Sequence, residues 1–130
     1  MTGIATCACG QLSIKCDGEP VRRSMCHCLE CQRRTGSAFS AQLRFRVEAT
    51  EAHGRATEYV RRADSGAEVR FRFCPVCGTT LYWTIDRQPG VVAVALGAFA
   101  DPGLGAPTIS VYERSRHSWV STDGIAEKVS

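Results

Sequence analysis

Eight cysteines stand at positions 7, 9, 16, 26, 28, 31, 74 and 77, and seven of them fall into three tight groups. The groups are Cys7-x-Cys9, Cys26-x-Cys28-x-x-Cys31 and Cys74-x-x-Cys77. Side chains two apart on an extended segment point the same way, about 6.5 Å apart along the strand. They are badly placed to bridge each other and well placed to grip one ion. Thiolates in threes and fours select zinc over hard cations. An iron–sulfur cluster is the alternative, although the long cysteine runs of ferredoxins are absent. An even count also permits a disulfide framework. Against it, residues 1–7 show neither the basic nor the apolar stretch of an export signal, so a cytoplasmic, reducing compartment is expected.

With Cys16 set aside, only one division into a four-ligand and a three-ligand site keeps every group whole. Cys7 and Cys9 join Cys74 and Cys77, while Cys26, Cys28 and Cys31 stand apart. A four-thiolate site is closed and structural, whereas three protein ligands leave a position open for a guest. The first site would tie the N-terminus to mid-chain and supply folding free energy. Pro75, Gly78 and Gly10 are suited to turns that aim amides at sulfur. The second site would carry chemistry. Three thiolates on Zn²⁺ leave a formal charge of −1, which suits a substrate sulfur or a carbonyl better than hydrolytic water. The competing reading closes the triplet with Cys16. However, Leu12, Ile14 and Cys16 alternate with polar neighbours, which puts Cys16 on the apolar face of a strand. His27, between two ligands, faces away from an ion held by Cys26 and Cys28. His117 is a distant candidate for a fourth ligand or proton shuttle, and His53 lies in a solvated turn.

These residues must be carried by strands. Residues 11–16 alternate, and 38–47 put Phe39, Ala41, Leu43, Phe45 and Val47 on one face. Residues 56–62 and 67–73 predict a hairpin across Asp64-Ser65-Gly66, with Val69, Phe71 and Phe73 facing in and Arg70 and Arg72 forming a solvated face. Residues 79–85, 91–96 and 108–112 complete the strands. A helical turn runs from Leu29 to Thr35 and stops at Gly36. Residues 98–107 read as a Gly/Pro loop. The fold class expected is mostly β, a mostly antiparallel domain with zinc sites at its loop ends.

The chain has 130 residues and is expected to form one domain over 1–130. Its formal charge of +3 is small and scattered, and seven thiolates with two Zn²⁺ would bring it to zero, so no nucleic-acid partner is expected. No apolar run approaches the roughly 20 residues of a membrane span.

The motifs Cys7-Ala-Cys9-Gly10, Gly18-Glu19-Pro20, Cys26-His27-Cys28-Leu29-Glu30-Cys31, Gly36-Ser37 and Phe73-Cys74-Pro75-Val76-Cys77-Gly78-Thr79 resemble the glutathione-dependent formaldehyde-activating (GFA) family. So do Gly97 to Pro102 and Ser115 to Trp119, and the likeness covers about residues 3–120. The resemblance implies a zinc-stabilised β-tent of small antiparallel sheets with short helical turns. It implies two zinc ions, a structural one on Cys7, Cys9, Cys74 and Cys77 and a catalytic one on Cys26, Cys28 and Cys31. The implied activity is that of a carbon–sulfur lyase, S-hydroxymethylglutathione synthase-like, joining glutathione or another small thiol to formaldehyde or a related aldehyde. One departure is Gln32, where family members often carry Arg. The alternative is a zinc-binding interaction module without turnover. Arg33 and Arg34 could meet substrate carboxylates, but solvated arginines are the expectation. Thr35 and Ser37 could orient substrate or serve as turn residues. Trp83 and Trp119 are expected in the core.

Overall fold

A computed structural model describes residues 2–130. Among the described residues there are eleven strands: β1 (Thr2–Thr6), β2 (Ser13–Asp17), β3 (Arg22–Cys26), β4 (Ser40–Arg46), β5 (Thr50–His53), β6 (Thr57–Arg62), β7 (Glu68–Phe73), β8 (Thr80–Ile85), β9 (Val91–Ala95), β10 (Ile109–Val111) and β11 (Glu127–Lys128). The single α-helix among the described residues, α1 (Leu29–Thr35), lies between β3 and β4. Short 3-10 turns occupy Val47–Ala49, Leu96–Phe99 and Glu113–Ser115. No helix among the described residues is long and apolar enough to cross a membrane.

The fold is mostly β, as expected. One sheet has three strands, in the order β1-β2-β5; the other has eight, in the order β11-β10-β3-β4-β9-β8-β7-β6. Pairing is antiparallel except at one end, where β10 runs parallel to both β3 and β11. The sequence pattern does not reveal β1, β3, β5 or β11. Each is short, and β3 reads Arg-Arg-Ser-Met-Cys, with no apolar alternation to mark it.

Two faces of the large sheet do different work. One packs on the small sheet: Ile14 and Cys16 of β2 meet Leu43 and Phe45 of β4 and Val92 and Val94 of β9. Each fully buried aliphatic or aromatic side chain there contributes about 1.5–3 kcal/mol. The opposite face gathers Val69, Phe71, Trp83 and Ala93. Leu81 and Tyr82 both reach the first core although Trp83 joins the second. The register shift between β7 and β8 at Arg72/Phe73 accounts for this, because a β-bulge puts two successive side chains on one side. Trp83 follows Tyr82 by ordinary alternation and pairs with Phe71 on the face that carries the end of β3.

Candidate metal centres and the cavity beside them

The four sulfurs of Cys7, Cys9, Cys74 and Cys77 lie within 4.8 Å of one another. Cys9 Sγ is 3.7 Å from both Cys7 Sγ and Cys74 Sγ. A disulfide would need about 2.05 Å. Four sulfurs about 2.3 Å from a central zinc make a tetrahedron with edges of roughly 3.8 Å, so this donor set fits a zinc ion. Local backbone prepares it. Gly10 and Gly78 take φ of 87° and 81°, and their amides close turns onto the Cys7 and Cys74 carbonyls. A residue with a Cβ is strained at such angles. The amides of Leu12, Val76 and Cys77 point at the sulfurs of Cys7, Cys74 and Cys74 respectively.

Two polar residues that the spacing does not single out complete this cluster. Gln11 Nε2 donates to Cys74 Sγ at 3.0 Å and to the Arg55 carbonyl, while its Oε1 accepts from the Arg55 amide. Thr79 Oγ1 lies 3.3 Å from Cys77 Sγ and accepts from the Ala8 amide. Hydrogen bonds from the Thr79 hydroxyl and amide hold the Cys77 thiol down at about 5. Burial opposes ionisation of Cys74, yet the bonds from Gln11 and from the Cys77 and Val76 amides bring it below its ordinary value.

The second cluster is built at the junction of β3 and α1. Cys26 ends β3, Cys28 caps the helix, and Cys31 is in its first turn, with the three sulfurs within 4.8 Å of one another. The Cys31 amide donates to Cys28 Sγ at 3.3 Å, as an N-cap acceptor requires. Hydrogen bonds from the Cys26 and Cys31 thiols, with the Cys31 amide, hold the Cys28 thiol well below the usual range. Cys26 is pushed up by the same contacts. Three convergent sulfurs also fit a soft cation, with fewer donors than a tetrahedron needs. The two clusters lie on different sides of the large sheet: Cys7 and Cys74 belong to the core under it, whereas Cys26, Cys28 and Cys31 line a cavity of about 470 Å³ on the other face.

The cavity floor is polar. Arg34 Nη2 donates to Ser40 Oγ at 2.8 Å, Ser40 Oγ donates to Gln42 Oε1 at 2.7 Å, and Gln42 Nε2 donates to Ser24 Oγ at 3.1 Å. Arg34 is not the solvated arginine expected. Its guanidinium carbon lies 4.3 Å from the Trp83 ring centre and 5.2 Å from that of Phe71, and Nη2 is 4.0 Å from Cys31 Sγ. Such a stack holds a cation against an aromatic face. Arg33 does match the expectation, being exposed and paired with Glu30 at 2.8 Å.

Other residues fall away from the cavity. His27 is fully buried, and its Nε2 bonds Ser110 Oγ at 2.9 Å. Ser110 donates its own proton to Glu113, so it accepts from His27, and the unprotonated Nδ1 has no partner. His117 Nε2 bonds Gln32 Oε1 at 2.8 Å, is exposed, and does not group with the three sulfurs of the triplet. Gln32 Nε2 donates to the carbonyls of His27 and Ser115, fastening α1 to the C-terminal segment. His53 is exposed beside Glu51. Thr35 bonds the Cys31 carbonyl and the Ser37 amide, a turn role for both. Trp83 is buried as expected, and it also lines the cavity. Trp119 is 73% exposed and leans on His117, a correction to its expected burial. The ring sits in a turn whose neighbours Ser118 and Ser121 are exposed as well. Cys16 is fully buried in the core beneath the small sheet, remote from the triplet, and burial pushes its thiol up to about 11.

The model of the family described as glutathione-dependent formaldehyde-activating enzyme matches residues 2–115. A search of curated proteins finds no significant match. Three solved chains are similar in structure. One is the crystal structure of a Rhodobacter sphaeroides protein, with a TM-score of 0.55 and 20% identity, covering 78% of this chain and 90% of that one. At that identity the likeness speaks for the fold alone.

Proposed function

Since the chain belongs to the glutathione-dependent formaldehyde-activating enzyme family, we propose that it is a zinc-dependent carbon–sulfur lyase working on the adducts of small thiols with aldehydes. The reaction is the addition of R–SH across an aldehyde carbonyl, which gives R–S–CH₂OH from formaldehyde, or its reversal. The thiol proton ends on the aldehyde oxygen, and no oxidant or reductant is needed. The observation that carries the reading is the convergence of three sulfurs on the wall of a cavity, while the four-sulfur cluster lies against the core.

In this reading Cys26, Cys28 and Cys31 hold the catalytic zinc, and Cys7, Cys9, Cys74 and Cys77 hold a structural one. When bound, zinc at the triplet supplies a Lewis acid able to favour the thiolate form of a thiol whose ordinary pKa is about 8.5. The chain's own groups do the rest. Arg34, fixed by Ser40 and the Trp83 face, sets a positive charge 4.0 Å from Cys31 Sγ and offsets the excess of thiolate charge. Trp83 and Phe71 exclude water from one wall, which strengthens that interaction. The cavity confines thiol and aldehyde together, so part of the acceleration comes from positioning. Glutathione is the thiol that the family's description suggests. Eight free thiols suit a reducing compartment such as the cytoplasm.

The test is zinc analysis before and after mild chelation, paired with an assay of glutathione plus formaldehyde. The reading expects two zincs per chain, one of them exchangeable, and a rate above the spontaneous one that is lost with the exchangeable ion. A single tightly held zinc, with no acceleration, would instead indicate a binding module.

A further inference from the structure

Arg22 and Arg44 are direct partners across β3 and β4. Like charges facing each other across a ladder are destabilising, and here both residues also line the cavity. The Nε of each is buried without a hydrogen-bond partner. Arg44 Nη1 donates to Gln88, and Arg22 makes no side-chain hydrogen bond or ion pair among the described residues. The neighbouring polar groups do not satisfy them: Ser24, Gln42 and Ser40 bond each other and Arg34 instead.

The carboxylates lining the cavity are also engaged elsewhere. Glu30 pairs with Arg33 at 2.8 Å, and Asp64 lies 3.9 Å from Arg114. Arg22, Arg34, Arg44 and Arg61 all line the cavity and none forms an ion pair among the described residues. Burial and the charge of Arg22 lower the pKa of Arg44, the direction expected for a cation that lacks its counter-ion. Paired guanidinium forks with unmet donors match an oxyanion, to which Arg binds bidentately.

We propose that Arg22 and Arg44 form an anion subsite that takes a carboxylate of the substrate while its sulfur lies at the triplet. This rests on the thiol–aldehyde reading above. Arg22 and Cys26 are four residues apart on β3, about 13 Å between their Cα atoms. The arginine side chains shorten that gap, so the ligand is a thiol whose carboxylate is several bonds from sulfur. A short peptide-like thiol meets this description, whereas a small neutral thiol leaves the arginines unanswered.

The test is calorimetric and uses the zinc-loaded full chain. S-methylglutathione keeps its carboxylates and has no free thiol, its diethyl ester masks the carboxylates, and inorganic phosphate is a third probe. S-methylglutathione should bind the wild type, and Arg22→Gln and Arg44→Gln should each weaken it at least tenfold. The diester should bind weakly to all three proteins. Arg87→Gln, on the exposed surface where Arg87 bonds the Ser65 carbonyl, should change nothing. Relief of the cross-strand repulsion should leave the melting temperature of both cavity variants equal to or above that of the wild type, whereas a purely structural arginine would lower it. Arginine-dependent binding of phosphate but not of S-methylglutathione would keep the subsite and make the ligand a phosphorylated thiol, overturning the carboxylate. The subsite is overturned if no probe binds the wild type, if binding ignores both substitutions, or if both variants melt lower or fail to fold. Arginine-dependent binding with no acceleration of the glutathione–formaldehyde reaction would support the subsite and sink the formaldehyde reading alone.

Discussion

Cys28 and Cys74 make the sharpest contrast between individual residues. Cys28 caps α1 on the cavity side, and its removal leaves both cores intact. Cys74 is fully buried, accepts from Gln11 and from two amides, and joins segments sixty-five residues apart through its neighbour Cys9. Cys28→Ser is therefore expected to abolish turnover and release one zinc, with a loss of stability of no more than about 1 kcal/mol, within the ordinary range for a partly exposed site. Cys74→Ser is expected to cost several kcal/mol, on the order of the binding free energy that structural zinc lends to folding. Zinc analysis with urea titration checks both, and unfolding of Cys28→Ser would make the triplet structural. The types and spacing of the cysteines were enough to group them, because each group is local in sequence. Gln11, Thr79, Ser40 and Gln42 were not readable in this way. Gln11 meets Cys74 and Arg55 only through the fold, Ser40 meets Arg34 and Gln42 meets Ser24 in the same way, and the short Thr79–Cys77 contact carries no spacing signal.

Among the elements, β3 and β4 carry the arginine pair of the cavity, and they were unequally legible in the sequence. The alternation of Leu43 and Phe45 in β4 pointed to a strand with one apolar face. Its other face looks like an ordinary solvated edge in sequence, yet Gln42 and Arg44 line the cavity and Ser40 is bonded to Gln42. The pairing of Arg44 with Arg22 depends on the register between two separate strands, which local pattern does not encode. A similar long-range contact governs the loop after β5. A Cβ on Gly54 would lie 1.9 Å from the Gln11 carbonyl oxygen, and its φ is +99°. Gly54→Ala must move the backbone that presents Gln11 to Cys74, so a loss of more than about 3 kcal/mol is expected, as for strain combined with steric overlap. Zinc at the four-sulfur cluster should become easier to chelate in this variant. A change below about 0.5 kcal/mol by urea titration would contradict the packing described for that loop.

The whole molecule divides its chemistry by the two faces of one sheet. Toward the small sheet the large sheet is apolar and ends at four sulfurs; away from it a smaller apolar cluster borders an arginine-rich cavity that ends at three. The mostly β character was readable from residue alternation. The two-sheet order, with parallel β10 inserted beside β3, was not, because it is set by contacts that close only in the folded chain. The division predicts that the two ions differ in coordination, one surrounded by sulfur alone and the other keeping a place for a guest. Zinc X-ray absorption on the fully loaded protein tests this directly. The account predicts an average of about 3.5 sulfurs per zinc with a light-atom ligand making up the remainder, rising toward about 4 when a thiol such as glutathione is added. Four sulfurs per zinc before any thiol is added, unchanged afterwards, would contradict it.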